Sequence, residues 1–294
     1  MKNLKLYIAL TFGPIWAAGL AFYLTGTNIA SFTGITGLWI ALCMFIPLVA
    51  TLICQKSAKE RLLRGIGISW KINRWWFIGW LIIPVTALLT ILFTYWTKGL
   101  NTTHLAVTTP FGTLNSPVAV VAITLLMGMV GGATTNALFA FGEEAGWRGY
   151  LLKQFEGKNF LTSAIVIGII WGLWHAPLIL LGYNYPQHPQ WGVLFMVLMC
   201  TMVSIIIQYF RVKSGSVIVA AIMHGTFNAV EGVVFLFMDI NNYNDLIEGC
   251  CGLTGICALL VAALGLFLFD RYVTRDRIFT SPLTFDTIKT EQPR

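Results

Sequence analysis

The sequence predicts an all-α, polytopic transmembrane bundle of about eight helices, enclosing an intramembrane cavity that faces the cytoplasm. Three observations carry this reading. Apolar residues make up 57% of the chain and charged residues only 11%, against about 25% charged in ordinary soluble domains. Eight segments are each apolar over close to the ~20 residues that a helix needs to cross a bilayer. The basic residues fall almost wholly in the connections that an eight-span count puts on one side, as the cytoplasmic excess of Lys and Arg requires.

The first span, about 6–24, follows Lys2 and Lys5. Its apolar run offers no convincing small-residue cleavage site, so it reads as retained rather than as a removed signal peptide. The second, about 36–54, ends on Lys56, Lys59, Arg61 and Arg64. Residues 61–76 then alternate basic and apolar side chains, as expected of a lipid-facing anchor at the cytoplasmic interface. Spans three and four, about 75–96 and 118–140, enclose a loop with one basic residue, Lys98, and span four leads to Arg148, Lys153 and Lys158. Span five, about 161–181, is followed by an uncharged loop around 186–190, and span six, about 191–210, runs into Arg211 and Lys213. Span seven, about 215–238, meets an acidic loop holding Asp239, Asp245 and Glu248, and span eight, about 249–269, ends at Arg271, Arg275 and Arg277. Both termini are therefore expected in the cytoplasm, on a multi-pass protein of the cell membrane. Residues 1–280 form one membrane domain, and 281–294 form a short polar cytoplasmic tail expected to be disordered.

The net charge of +7 does not point to nucleic acid, because the positive residues flank apolar runs instead of forming a face. The expected surroundings are the lipid bilayer and a peptide or membrane-protein partner, and the sequence is silent on oligomeric state. The cysteines Cys43, Cys54, Cys200, Cys250, Cys251 and Cys257 lie in or beside apolar segments without metal-finger spacing, and read as small apolar side chains.

Ionisable groups inside spans are costly and usually functional. Three clusters qualify. In Glu143-Glu144-Ala-Gly-Trp-Arg148, helical geometry puts Glu144 and Arg148 on one face, where they pair, and turns Glu143 away. A plain helix-end salt bridge needs one carboxylate; here there are two. His175 closes Trp171-Gly-Leu-Trp-His175, inside the fifth span and just before Pro177; a lone buried His is often only a satisfied core residue, but Pro177 loosens the helix around this one. His224 and Asn228 point the same way from the seventh span, with Glu231 close to that face; such a stripe also serves as interhelical glue. Depth supplies a joint test. His224 lies about nine residues, or roughly 14 Å, from the cytoplasmic end of its span, and Glu143 and His175 reach similar depths if the fourth helix continues to about Phe155.

The ordered set Glu-Glu-x-x-x-Arg, aromatic-x-x-x-His and His-x-x-x-Asn, from about 142 to 228 and on separate helices, resembles the CAAX protease and bacteriocin-processing family, which includes the type II CAAX prenyl endopeptidases. The resemblance implies an intramembrane endopeptidase with its catalytic core in 118–238. Glu143 with His175 would polarise a water, His224 and Asn228 would stabilise the oxyanion, and Glu144 with Arg148 would hold the helix in register. One departure is Trp171, where the family usually carries Phe; packing, not chemistry, is expected to feel it. No cofactor is needed in this version. The alternative is zinc, with Glu143, His175 and His224 as ligands, although His-Glu-x-x-His on one helix is absent. A proton-coupled transporter would be expected to show inverted repeats, and the sequence has none. A non-catalytic scaffold or immunity factor is the remaining competitor. The peptide substrate itself is not legible in the sequence.

Overall fold

The computed structural model describes residues 3–27, 29, 34–102, 105–109, 112–239 and 242–284. Lys2 and residues 285–294 of the expected tail lie outside them. The described residues are mostly helical, as expected. Helix α1 is Leu4–Thr25; α2 and α3, Gly34–Cys43 and Ile46–Ser57, form one broken span; α4 is Arg74–Lys98. A short hairpin, β1 Val107–Thr109 and β2 Gly112–Leu114, pairs antiparallel with Val107 opposite Leu114. Then come α5, Pro117–Leu151, and α6 and α7, Phe160–Trp174 and Ala176–Ile179. The last three are α8, Pro189–Ser214, α9, Val217–Val230, and α10, Leu253–Leu268.

Among the described residues, seven helices are long and apolar enough to cross a membrane. The expected fifth span is instead the shorter α6, of 15 residues, or about 22 Å. Pro177 has no N–H to give and its ring crowds the carbonyl one turn back, so the helix stops at His175 and restarts as α7. The fourth helix departs the other way. At 35 residues it runs well past the expected 118–140, with wider π turns at Gly132–Asn136 and Ala145–Leu151, so Glu143 and Glu144 sit inside it rather than at its end.

The ends that share a face are tied directly. Asn3 Nδ2 donates to Cys54 O at 3.1 Å, and Lys213 pairs with Asp276. Gly157 N donates to Leu283 O and Leu283 N to Lys158 O, each at 2.8 Å. The start of the expected tail is thus docked, with Leu283 buried. On the opposite face Lys98 pairs with Glu248 at 2.7 Å and Gln187 N donates to Asp245 at 2.7 Å. Of residues 61–76, expected as a lipid-facing anchor, 74–76 begin α4 and the rest lie in a strap, 58–73, across the termini face: Trp70 and Ile72 are exposed, but Ile66 is fully buried. Val217 N donates to Gly67 O, Ser216 Oγ to Ser69 O, and Arg211 Nη2 to Ile66 O. Main-chain groups of the strap therefore find partners in the bundle rather than in water.

Two close crossings fix the helices that carry the polar clusters. Gly168 and Gly172 of α6 face α8, where an added Cβ would come within 2.5 Å of Thr201 Cα and of Val197 Cα. Gly225 of α9 faces α5 so closely that a Cβ would lie 2.5 Å from Ala137 N. Small residues let backbones approach where no hydrophobic force acts between helices in lipid. Gly168→Ile should accordingly lower unfolding stability in detergent by about 1–3 kcal/mol, the range for overpacking; a thermal melt unchanged from wild type would show that α6 and α8 are not held by this contact.

Candidate active site

The three clusters meet where α5, α6 and α9 cross. Glu144 is fully buried and takes Arg148 Nη1 on Oε1 at 2.8 Å, the i,i+4 pair read from the sequence. The same Oε1 accepts from His224 Nδ1 at 2.9 Å, so the pair also ties α5 to α9. Arg148 lies over the face of the Trp171 ring, 4.5 Å from its centroid, which brings in α6. Its carbonyl accepts from Arg211 Nε of α8 at 3.2 Å.

Glu143, one residue earlier, is rotated to different neighbours. It is 2% exposed, and its Oε2 accepts from Trp171 Nε1 at 2.6 Å and from Trp147 Nε1 at 3.3 Å. Packing was expected to be the whole role of Trp171. The structure corrects that: its indole N–H, which a Phe would lack, binds the carboxylate. His175, at the break between α6 and α7, is half-buried, and its Nδ1 lies 2.9 Å from Trp171 O. A carbonyl only accepts, so Nδ1 carries the proton and Nε2 of the neutral ring keeps its lone pair. The rings of His224 and Trp171 meet edge to face at 5.1 Å.

Glu143, His175, His224 and Asn228 all border one cavity of about 510 Å³, while Glu144 and Arg148 lie behind its wall. The sequence set thus divides into groups that line the space and a pair that supports them. The cavity does not face the side expected. Its far lining is Tyr183, Asn184, Cys250 and Cys251, from connections on the face opposite the termini. Toward the termini it is closed by fully buried Trp147, Leu151 and Ile66. The strap and the long α5 together fill that end. Four of the six cysteines, Cys43, Cys200, Cys250 and Cys251, border the cavity rather than lipid alone.

Glu231 also borders it, 3% exposed and 2.6 Å from the Thr86 hydroxyl of α4. Its place one turn beyond Asn228 was the available signal. No group of three or more His, Cys, Asp or Glu side chains is arranged to hold a metal ion among the described residues. Both histidine Nδ1 atoms are bonded to oxygens behind them, Trp171 O for His175 and the Glu144 carboxylate for His224, so Nε2 is the ring atom each leaves unengaged.

Removing one member of a buried ion pair leaves the other charge uncompensated, at a cost of about 3–5 kcal/mol. Arg148→Met should therefore destabilise the folded protein by about that amount in thermal or denaturant unfolding. Adding Glu144→Gln should recover part of the loss; a double variant as unstable as the single one would show that the pair is not what Arg148 serves.

Comparison with known proteins points the same way. Residues 125–230 match the family described as Rce1-like type II CAAX prenyl endopeptidases. A stretch of 136 residues is 32% identical to CAAX prenyl protease 2 of Methanococcus maripaludis, covering 44% of this chain and 46% of that protein. The aligned part thus spans less than half of either chain. The matched residues 125–230 hold most of α5 together with α6 and α9 and their crossing point, and in sequence and in the order of its motifs this core is similar to the CAAX proteases.

Proposed function

We propose that this protein is an intramembrane endopeptidase that hydrolyses a peptide bond of a membrane-associated protein or peptide. The observation that carries the reading is the convergence of Glu143, His175, His224 and Asn228 on one cavity inside a helical membrane bundle.

Peptide hydrolysis needs a base to activate water, a proton donor for the leaving amine, and donors aimed at the developing oxyanion. Glu143 has one carboxylate oxygen held by indoles and the other left for a water. His175, its Nδ1 proton committed to Trp171 O, has Nε2 available to share that water's proton and later to pass one to the leaving amine. His224 is oriented through Nδ1 by the Glu144 carboxylate, and its Nε2 edge and the Asn228 amide are the groups that would stabilise the tetrahedral oxyanion. Arg148 then holds Glu144 in place. Each polar group thereby has a distinct task, and no step needs a metal.

The excess of Lys and Arg in the connections on the termini face supports a cytoplasmic position for both termini. The cavity then reaches toward the non-cytoplasmic half of the bilayer, so the substrate would enter from there or laterally from the lipid. The apolar lining from Ile40, Met44, Phe139, Met196 and Phe227 suits an apolar segment brought in from the membrane.

The test is cleavage of a quenched-peptide library by the detergent-purified full chain. Glu143→Ala and His175→Ala should each lower turnover by about 10²–10⁴, the usual acid–base contribution, while Lys153→Ala, altering only an exposed contact with Glu60, should match wild type. A chelator should leave cleavage intact. Activity lost on chelation and restored by zinc would overturn the metal-free mechanism, and processing that persists in both site variants would overturn the assignment of these residues.

A further inference from the structure

We infer that the indole N–H of Trp171 is a positioning device for Glu143: it captures Oε2, and so decides that Oε1 is the oxygen presented to the cavity. This rests on the reading of Glu143 as the base but makes a claim that reading does not contain, namely which atom acts and what holds it there.

Both donors that reach Glu143 are indoles, and both bind the same oxygen, Trp171 Nε1 at 2.6 Å and Trp147 Nε1 at 3.3 Å. Among the described residues both hydrogen bonds to Glu143 fall on Oε2 and leave Oε1 unengaged, and Glu143 borders the cavity. A glutamate side chain has three rotatable bonds, and in a cavity of about 510 Å³ it would otherwise sample many orientations, at a cost to any reaction that needs one. A short charge-assisted bond to a fixed donor removes that freedom.

The donor is fixed. Trp171 lies between Gly168 and Gly172, the two residues that seat α6 against α8. Its ring face carries the Arg148 guanidinium, and its edge meets His224. It is itself 3% exposed. The same residue offers its carbonyl to His175 Nδ1. One side chain and its own backbone therefore orient both members of the proposed base pair, Glu143 through a donor and His175 through an acceptor. Phe at this position would keep an aromatic face toward Arg148 and the same carbonyl, and would lose the N–H together with the five-membered half of the ring that carries it. Trp147, on the turn after Glu143 of the same helix and at the longer distance, is the weaker of the two holds.

Two measurements on the full-length protein test this. In steady-state peptide cleavage, Trp171→Phe should lower kcat by about tenfold to a hundredfold with KM within about twofold, the loss expected for one hydrogen bond to a charged group, and Trp147→Phe should cost less. In ¹⁵N-indole spectra, one of the eleven tryptophan N–H resonances should lie downfield, vanish in Trp171→Phe, and move upfield in Glu143→Ala. A resonance that answers to Glu143 supports the positioning even if wild type cleaves no peptide tried, in which case the proposed activity alone has failed. Trp171→Phe with wild-type kcat, a larger effect from Trp147→Phe, or a Trp171 resonance indifferent to Glu143→Ala would each overturn it.

Discussion

A carboxylate cannot be left alone in a membrane interior, and the way Glu144 is compensated organises the rest of this molecule. Taking an ionised group out of water costs several kcal/mol even after relaxation. Arg148 answers the charge from one turn away on the same helix, at 2.8 Å. The pair then recruits three other helices: His224 of α9 by a hydrogen bond, Trp171 of α6 by its ring face, and Arg211 of α8 through the Arg148 carbonyl. Satisfying a buried charge here draws together the elements that carry the remaining polar residues. The support and the site are products of one requirement.

That convergence depends on backbones that come unusually close. Gly225 lets α9 lie against α5, and Gly168 with Gly172 seats α6 on α8. Without these contacts His224 could not reach Glu144 and the indole of Trp171 could not reach Glu143. The irregular turns act at the same places. Wider π turns flank the segment of α5 that holds both carboxylates, and Pro177 ends α6 at the residue whose ring must enter the cavity. Departures from regular helix are affordable in a membrane where side chains and neighbouring helices take up the freed groups.

Much of this was legible in the sequence and some was not, for definite reasons. The span positions follow from apolar length, the two faces from the placement of Lys and Arg, and the Glu144–Arg148 pair from helical spacing, because each depends on local chemistry. The length of α5 was underestimated because its polar residues, including both glutamates, look like the end of a span until their buried partners on other helices are known. Residues 61–76 looked like an anchor because alternation records polarity, whereas burial of Ile66 depends on what α8 and α9 present to it. The direction of the cavity depends on which end is plugged, and that is decided by the strap, the fold of α5 and the close crossings together. Trp171 was readable as aromatic but not as a donor to Glu143, since the distance between them is set by two glycines and a helix on the far side of α6.

The adjacent carboxylates show how little sequence separation is needed to assign two roles. One residue is a turn of about 100° in a helix, enough to change every neighbour. Glu144 meets two nitrogen bases, Arg148 and His224, and its oxygen is consumed in holding them. Glu143 meets only neutral N–H donors, at one oxygen, and borders the cavity. Glu144 is a poor partner for a reacting water because the oxygen its partners leave, Oε2, is buried behind the cavity wall; Glu143, held by neutral donors at a single oxygen, borders the cavity itself. Exchanging the two environments would need a shift of one residue in register along α5, and the Glu144–Arg148 spacing, the His224 bond and the two indole contacts all resist that shift together. The difference between the two carboxylates, one paired behind the wall and one bordering the cavity, is therefore built into the helix by its contacts with α6 and α9.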